Sequence, residues 1–178
     1  MVVAAETMTR LMALEPRVKQ TAILFGNGAG ACLETSGDGL AAIREVRIAS
    51  DATFSEALRM DFGFPLQTVE PSSCTRFGKL ERAVAELLGA HSLQVDQVGL
   101  FLFHQANLRL LERLMRELRI EASQCFMNVE KYGNTSSASW LIAASEARAS
   151  GLMRPGTKIV IAAFGAGLSW GAALLEAT

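Results

Sequence analysis

A histidine, an asparagine and a thiol are the side chains here that could do chemistry together. His104 ends the apolar run Val98–Phe103 (VGLFLF), which has the length of a buried strand and is too short for a core helix. The junction where a strand gives way to a helix is where open α/β proteins bind ligands. A helix beginning at Gln105 or Ala106 would disfavour positive charge beside it. The imidazole is then expected to stay neutral and donate a hydrogen bond, which suits polarising a carbonyl or stabilising an enolate. A plainer role is also open: a lone histidine can simply satisfy its own polar atoms at a strand end.

Asn134 has the matching position. It follows a short strand read over Gln124–Val129 (QCFMNV), comes after Gly133 and precedes a helix. Donors at the ends of parallel strands aim into one crevice, and a His beside an Asn makes a two-donor oxyanion site. An asparagine after a glycine equally reads as a turn residue. A nucleophile would complete the set. Cys32 and Cys125 read as strand core, whereas Cys74 lies near the start of a helix, where a thiolate is favoured. Its surroundings resemble no nucleophile-bearing turn.

The three cysteines are widely separated, without redox-like or metal-like pairing, so no metal site is expected and a reducing cytoplasm fits. Arg109, Arg113 and Arg116 fall within about 60° on the helix after His104, opposite Leu111, Leu114 and Leu118. Three guanidiniums on one face, flanked by Glu112 and Glu117, either grip a phosphate or acidic partner or form an ordinary solvated face.

The elements that must hold these residues are read as follows. Met1–Leu14 starts apolar, as though entered partway through an element, and Glu15-Pro16 is a loop. Thr21–Phe25 is a strand, Gly26–Gly30 a glycine-rich turn and Ala31–Glu34 a second strand. No helix follows those glycines at once, as a dinucleotide-binding turn would require. Leu40–Ala49 is a strand, and Asp51–Ser73 shows no clear period. Phe77–Leu88 is an amphipathic helix ended by Gly89. Thr135–Ala149 is a helix capped by Thr or Ser, with Gly151 beyond it. Arg154-Pro155-Gly156 turns the chain into Lys158–Phe164, Gly165–Gly167 is a tight turn, and Leu168–Glu176 is the closing strand.

The 178 residues are 50% hydrophobic, ample for a core. A net charge of -1 gives no overall pull toward nucleic acid or an anionic membrane. The N-terminus has no signal-peptide pattern. The uncharged run Ile159–Leu175 is at the lower limit for a membrane span, and Gly165, Gly167 and Gly171 break it into two buried strands.

ILFGNGAGACLE (Ile23–Glu34) and IAAFGAGLSWGAALLE (Ile161–Glu176) share an order: apolar strand, Phe-Gly, small-residue turn, apolar strand, Glu. As the ends of two copies of one unit, they would divide the chain into residues 1–34, the tail of a first copy, and residues 35–178, a complete second copy. Roughly a hundred residues of the first copy would then be missing upstream.

FHQANLRLL, YGNTSSAS and FGAGLSWGAALL, in this order and at these spacings, resemble the C-terminal half of the β-ketoacyl-acyl-carrier-protein synthase III family, thiolase-fold condensing enzymes. ILFGNGAGACLE extends the resemblance over most of the chain; it is weakest from Asp51 to Arg76. The implied fold is α/β and thiolase-like: one complete C-terminal half, a mixed sheet with helices, plus the tail of the N-terminal half. The implied activity is decarboxylative condensation of a cysteine-bound acyl group, taken from acyl-CoA, with malonyl-acyl carrier protein. Both substrates are carried in, and no further cofactor is implied.

His104 and Asn134 match the family histidine and asparagine that stabilise the enolate. Asn107 matches a residue near the pantetheine arm, and Ala166 stands in the turn whose backbone N–H completes an oxyanion hole. Arg109 matches the basic residue associated with carrier-protein docking, with Arg113 and Arg116 on the same face. None of the three cysteines occupies the place of the family nucleophile, which lies further upstream. The stretch from Phe77 to His104, near the expected acyl tunnel and CoA mouth, is shorter than usual.

The expected partners are acyl carrier protein, acyl-CoA and either an N-terminal-half chain or a second copy, in the cytoplasm, with no nucleic acid and no membrane. The alternative is a non-catalytic chain that binds acyl groups or carrier protein and pairs with a cysteine-bearing partner. A thiolase or polyketide-type synthase fits the HQAN and GNTS pair less well.

Overall fold

The computed structural model describes residues 1–10, 22–59, 67–68 and 73–178. In chain order the strands are β1 (Val2–Thr7), β2 (Asn27–Cys32), β3 (Ala41–Ser50), β4 (Leu58–Arg59), β5 (Gln67–Thr68), β6 (Leu100–Phe103), β7 (Lys158–Gly165) and β8 (Ser169–Ala177). The helices are α1 (Ser73–Ala90), α2 (Leu108–Leu118), α3 (Val129–Tyr132) and α4 (Ser139–Ala149). Much of the stretch that carries no legible period, and the whole of the Glu15-Pro16 loop, lie outside the described residues.

The main sheet has the order β3-β8-β7-β6, antiparallel except for the parallel pair β6 and β7. All four residues of β6 are buried. Phe101 and Phe103 belong to a core built with Val84 and Leu87 of α1 and Leu111 and Leu114 of α2. Leu100 and Leu102, on the opposite face, pack with Ala143 and Ala147 of α4. A parallel strand covered by helices on both faces cannot alternate with polar residues, which is why Val98–Phe103 is continuously apolar.

The second layer is the antiparallel pair β1 and β2, whose register runs from Val2 opposite Cys32 to Thr7 opposite Asn27. β2 contains the glycines read from sequence as a turn. Here they extend as a strand because α4 lies on it: a Cβ at Gly30 would come 2.6 Å from Leu141 Cβ, and one at Gly28 would come 2.8 Å from Ile142 Cδ1. Glycine in a strand interior marks this kind of close approach. The preceding stretch, expected as the strand Thr21–Phe25, is helical at Ala22, turns over 23–24 and makes a single bridge from Phe25 to Asn134; Thr21 lies outside the described residues.

The expected strand over Gln124–Val129 does not form either. Ala122–Gln124 is a 3-10 turn, Cys125 makes one isolated bridge to Phe101, and α3 begins at Val129. The carboxamide of Gln105 takes up polar groups that a ladder would otherwise pair, accepting from Asn128 N–H at 3.0 Å and donating to the Phe103 carbonyl at 2.9 Å. Gly89 does not end its helix; α1 runs through Ala90, and the left-handed residue after it is Ser92, φ 52°. Ser136–Ala138 forms a 3-10 turn before α4, and neither Thr135 nor Ala138 caps with its side chain.

The uncharged run Ile159–Leu175 forms most of β7 and β8. Among the described residues no helix is long and apolar enough to cross a membrane. On the face of β3, β8 and β7 beside α4 lies an open groove of about 450 Å³, lined by Val46, Ile48, Trp140, Ile161, Phe164 and Trp170 among others.

Candidate active site

His104 continues the β6 ladder, its N–H donating to the Ala162 carbonyl at 2.9 Å. The helix after it starts later than expected. Asn107 is the N-cap of α2, its side-chain oxygen accepting from Leu110 N–H at 2.9 Å, so Leu108 is the first helical residue. A helix N-terminus one residue away is therefore not what keeps the ring neutral. Burial does so, depressing the His104 pKa to about 4, while a hydrogen bond with the Ser136 backbone works the other way. The residue as a whole is half-buried, and the Phe164 ring packs edge-on to the imidazole with centroids 5.7 Å apart. Nδ1 lies 2.7 Å from Ser139 Oγ.

Asn134 is placed by a turn, not by a strand of the main sheet. Its N–H donates to the Leu24 carbonyl at 2.8 Å, and its carbonyl accepts from Gly26 N–H at 3.0 Å. The side chain is buried, with Oδ1 accepting from Ser136 N–H at 2.9 Å. A backbone N–H can only donate, so the bonded atom is the oxygen and the amide NH₂ points away from the turn. Among the described residues no acceptor bonds that NH₂, and no side chain bonds His104 Nε2. The turn Asn134–Ser139 thus holds both candidate donors: Ser136 touches both side chains, and Ser139 holds His104.

The remaining residues singled out from sequence are dispersed around this centre. Ala166 is exposed in the turn between β7 and β8. Arg109 and Arg116 are exposed on α2 and Arg113 is half-buried, opposite the buried face of Leu111, Leu114 and Met115. Arg113 and Glu117 face Glu81 of α1, whose carboxyl is raised above its ordinary pKa by burial and by the Glu117 charge, with Arg113 opposing.

Cys125 is buried and its thiol pushed up to about 12 by desolvation. Cys32 is half-buried on β2. Cys74 falls in the first turn of α1. Among the described residues no group of three or more His, Cys, Asp or Glu could hold a metal ion.

Three residues escaped sequence reasoning. Gln105 and Ser139 are 1% and 2% exposed and tie the site together. Their signal was a polar residue at a position that a strand end or helix face should bury. Gly26 is the third, and its backbone bond to Asn134 crosses more than a hundred positions.

A mixed sheet sandwiched between helices, a second β layer closing on α4, and a buried histidine and asparagine held by one turn define a thiolase-like condensing-enzyme fold. Residues 88–177 match the family described as 3-oxoacyl-[acyl-carrier-protein (ACP)] synthase III C terminal, and the chain belongs to that family. It is 35% identical to the beta-ketoacyl-[acyl-carrier-protein] synthase III of Nitratidesulfovibrio vulgaris, over 97% of this chain and 56% of that protein. The crystal structure of the Aquifex aeolicus 3-oxoacyl-[acyl-carrier-protein] synthase III superposes with a TM-score of 0.88 at 33% identity, over 98% of this chain and 56% of that one. The Thermus thermophilus synthase III gives 0.83 at 29% identity, over 99% and 58%. The chain spans a little over half the length of the relatives it matches.

Proposed function

We propose that the chain is the C-terminal part of a 3-oxoacyl-acyl-carrier-protein synthase III-like acyltransferase, supplying the enolate-stabilising donors of a decarboxylative Claisen condensation. The observation that carries the reading is the turn Asn134–Ser139, which leaves the Asn134 NH₂ without an acceptor among the described residues and holds the His104 ring through Nδ1, so that Nε2 has no side-chain partner among them.

When a malonyl thioester loses carbon dioxide, the electrons of the broken C–C bond pass into an enolate. Its oxygen gains charge where two preorganised neutral donors stabilise it most. The enolate carbon then attacks the carbonyl of an acyl-cysteine, and the cysteine leaves as thiolate. That cysteine belongs, in this reading, to the N-terminal half of the fold, outside these 178 residues. Burial and a raised pKa make Cys125 a poor nucleophile.

Residues 1–34 act as the tail of the N-terminal half and residues 35–178 as the C-terminal half. Asn107 and the Ala166 turn line the approach of the pantetheine arm. Arg109, Arg113 and Arg116 receive acyl carrier protein, and the setting is cytoplasmic. No cofactor is required beyond the two thioester substrates.

The test is acylation followed by complementation. Incubated with labelled acyl-CoA, the chain alone is expected to take up no stable label; acylation mapped to Cys74 would overturn the external nucleophile. Supplied with a cysteine-bearing N-terminal half, it is expected to condense the acyl group with malonyl-acyl carrier protein. His104→Ala or Asn134→Ala should slow that step by about a hundredfold or more. Carrier binding without turnover in the complemented pair would favour the non-catalytic reading.

A further inference from the structure

Behind the His104 ring, at the first position of α4, Ser139 is 2% exposed, and its hydroxyl touches two neighbouring groups of the β6 exit. Its Oγ lies 2.7 Å from His104 Nδ1 and accepts from Gln105 N–H at 3.1 Å. We propose that Ser139 is a positioning residue that donates its hydroxyl hydrogen to Nδ1 and so keeps the proton of the neutral imidazole on Nε2, the nitrogen left for a reacting oxygen. The inference rests on the reading of His104 as a donor.

The assignment follows from counting donors. A hydroxyl has one hydrogen and two lone pairs, and an amide N–H can only donate. Gln105 N–H therefore occupies a lone pair of Oγ. The hydroxyl hydrogen is buried and needs an acceptor inside the protein. Among the described residues no acceptor other than Nδ1 bonds it. With the proton on Nδ1 instead, both Nδ1–H and Gln105 N–H would point at Oγ, and the hydroxyl hydrogen would be left without a partner. Nε2 would then be a lone pair, unable to stabilise an enolate oxygen.

The Ser136 backbone, also beside the ring, is the competitor: its carbonyl would accept a ring proton directed toward it. Ser139 decides between the two tautomers because it engages Nδ1 and, through Gln105, the backbone immediately after the histidine. The ring is thereby fixed in orientation as well as in proton position.

The chain has two histidines, His91 and His104. Histidine labelled with nitrogen-15 and read by long-range proton–nitrogen correlation reports each tautomer directly, and an H91Q variant identifies the His104 signals. At neutral pH wild-type His104 is expected to carry its proton on Nε2. In Ser139→Ala the ratio of the Nε2–H to the Nδ1–H form is expected to fall by about threefold or more, the range for loss of one buried hydrogen bond. A wild-type ring protonated on Nδ1, or an unchanged ratio in S139A, would overturn the proposal. If S139A does not fold, the wild-type tautomer alone decides. The measurement needs no nucleophile and no substrate, so a failure of condensation and a failure of this assignment are read separately.

Discussion

The Gly26 N–H donates to the Asn134 carbonyl at 3.0 Å, and a Cβ built on Gly26 would stand 1.9 Å from the Tyr132 carbonyl oxygen. The candidate catalytic asparagine is therefore held by a backbone so close that only glycine fits. Gly133 meets it reciprocally, at φ 68° and with space for a Cβ only 3.1 Å from the Leu24 carbonyl oxygen. Gly26→Ala is expected to destabilise the fold by about 1–3 kcal/mol through overpacking against backbone that cannot move alone. Urea unfolding measures the loss, and faster hydrogen exchange at the Asn134 amide would place it at this clamp.

His104 is expected to remain uncharged through most of the acid range. Its folded pKa is about 4, below its ordinary 6.5, because burial disfavours the cation. Between these values the unfolded chain binds the extra proton and the folded chain does not, so stability falls as pH is lowered from about 6.5 toward 4. The full effect is on the order of 3 kcal/mol. His104→Gln should remove this part of the pH dependence in denaturation curves taken across that window.

Gln105 should be a costly residue to truncate. Its buried carboxamide bonds the Phe103 carbonyl and Asn128 N–H, and Gln105→Ala orphans both. A loss of about 2–4 kcal/mol is expected, combining unmade buried hydrogen bonds with a cavity. Gln105→Glu, which retains an acceptor but no NH₂, is expected to remain destabilised because it would bury a charge. Chemical denaturation of the two variants checks this.

The arginine face makes a prediction about binding rather than stability. Arg109→Glu with Arg116→Glu, both on exposed positions of α2, is expected to leave unfolding nearly unchanged. On the proposed docking role, affinity for acyl carrier protein should drop by about tenfold or more, and the remaining binding should lose most of its salt dependence. Calorimetric titration at low and high salt reads both quantities.

Much of the main sheet and its helices was legible from periodicity. The run VGLFLF is apolar throughout because β6 is buried on both faces, and α2 buries Leu111 and Leu114 as its period indicates, with Met115 buried beside them and Leu118 only half-buried. The hairpin of β7 and β8 was legible because small residues break the long uncharged run between them. Misreadings fell where a long-range partner replaced a local one. The β2 glycines looked like a turn because the reason for them, the flank of α4, is contributed by Leu141 and Ile142. Gln124–Val129 looked like a strand because its hydrophobicity suits burial, yet its polar groups are taken by a side chain of Gln105.

Local order thus determined which segments are apolar on which face, where the chain must turn at Gly151 and Gly156, and that a histidine follows a buried apolar strand. Those are properties of propensity and period, written within a few residues of each position. Only the tertiary structure decided that His104 is neutral through burial and not through a helix end. It alone decided that Asn134 is clamped by Leu24 and Gly26, and that Ser136 and Ser139 join the two donors. Desolvation and hydrogen bonds between distant segments depend on what the folded chain brings together, and no local pattern encodes them.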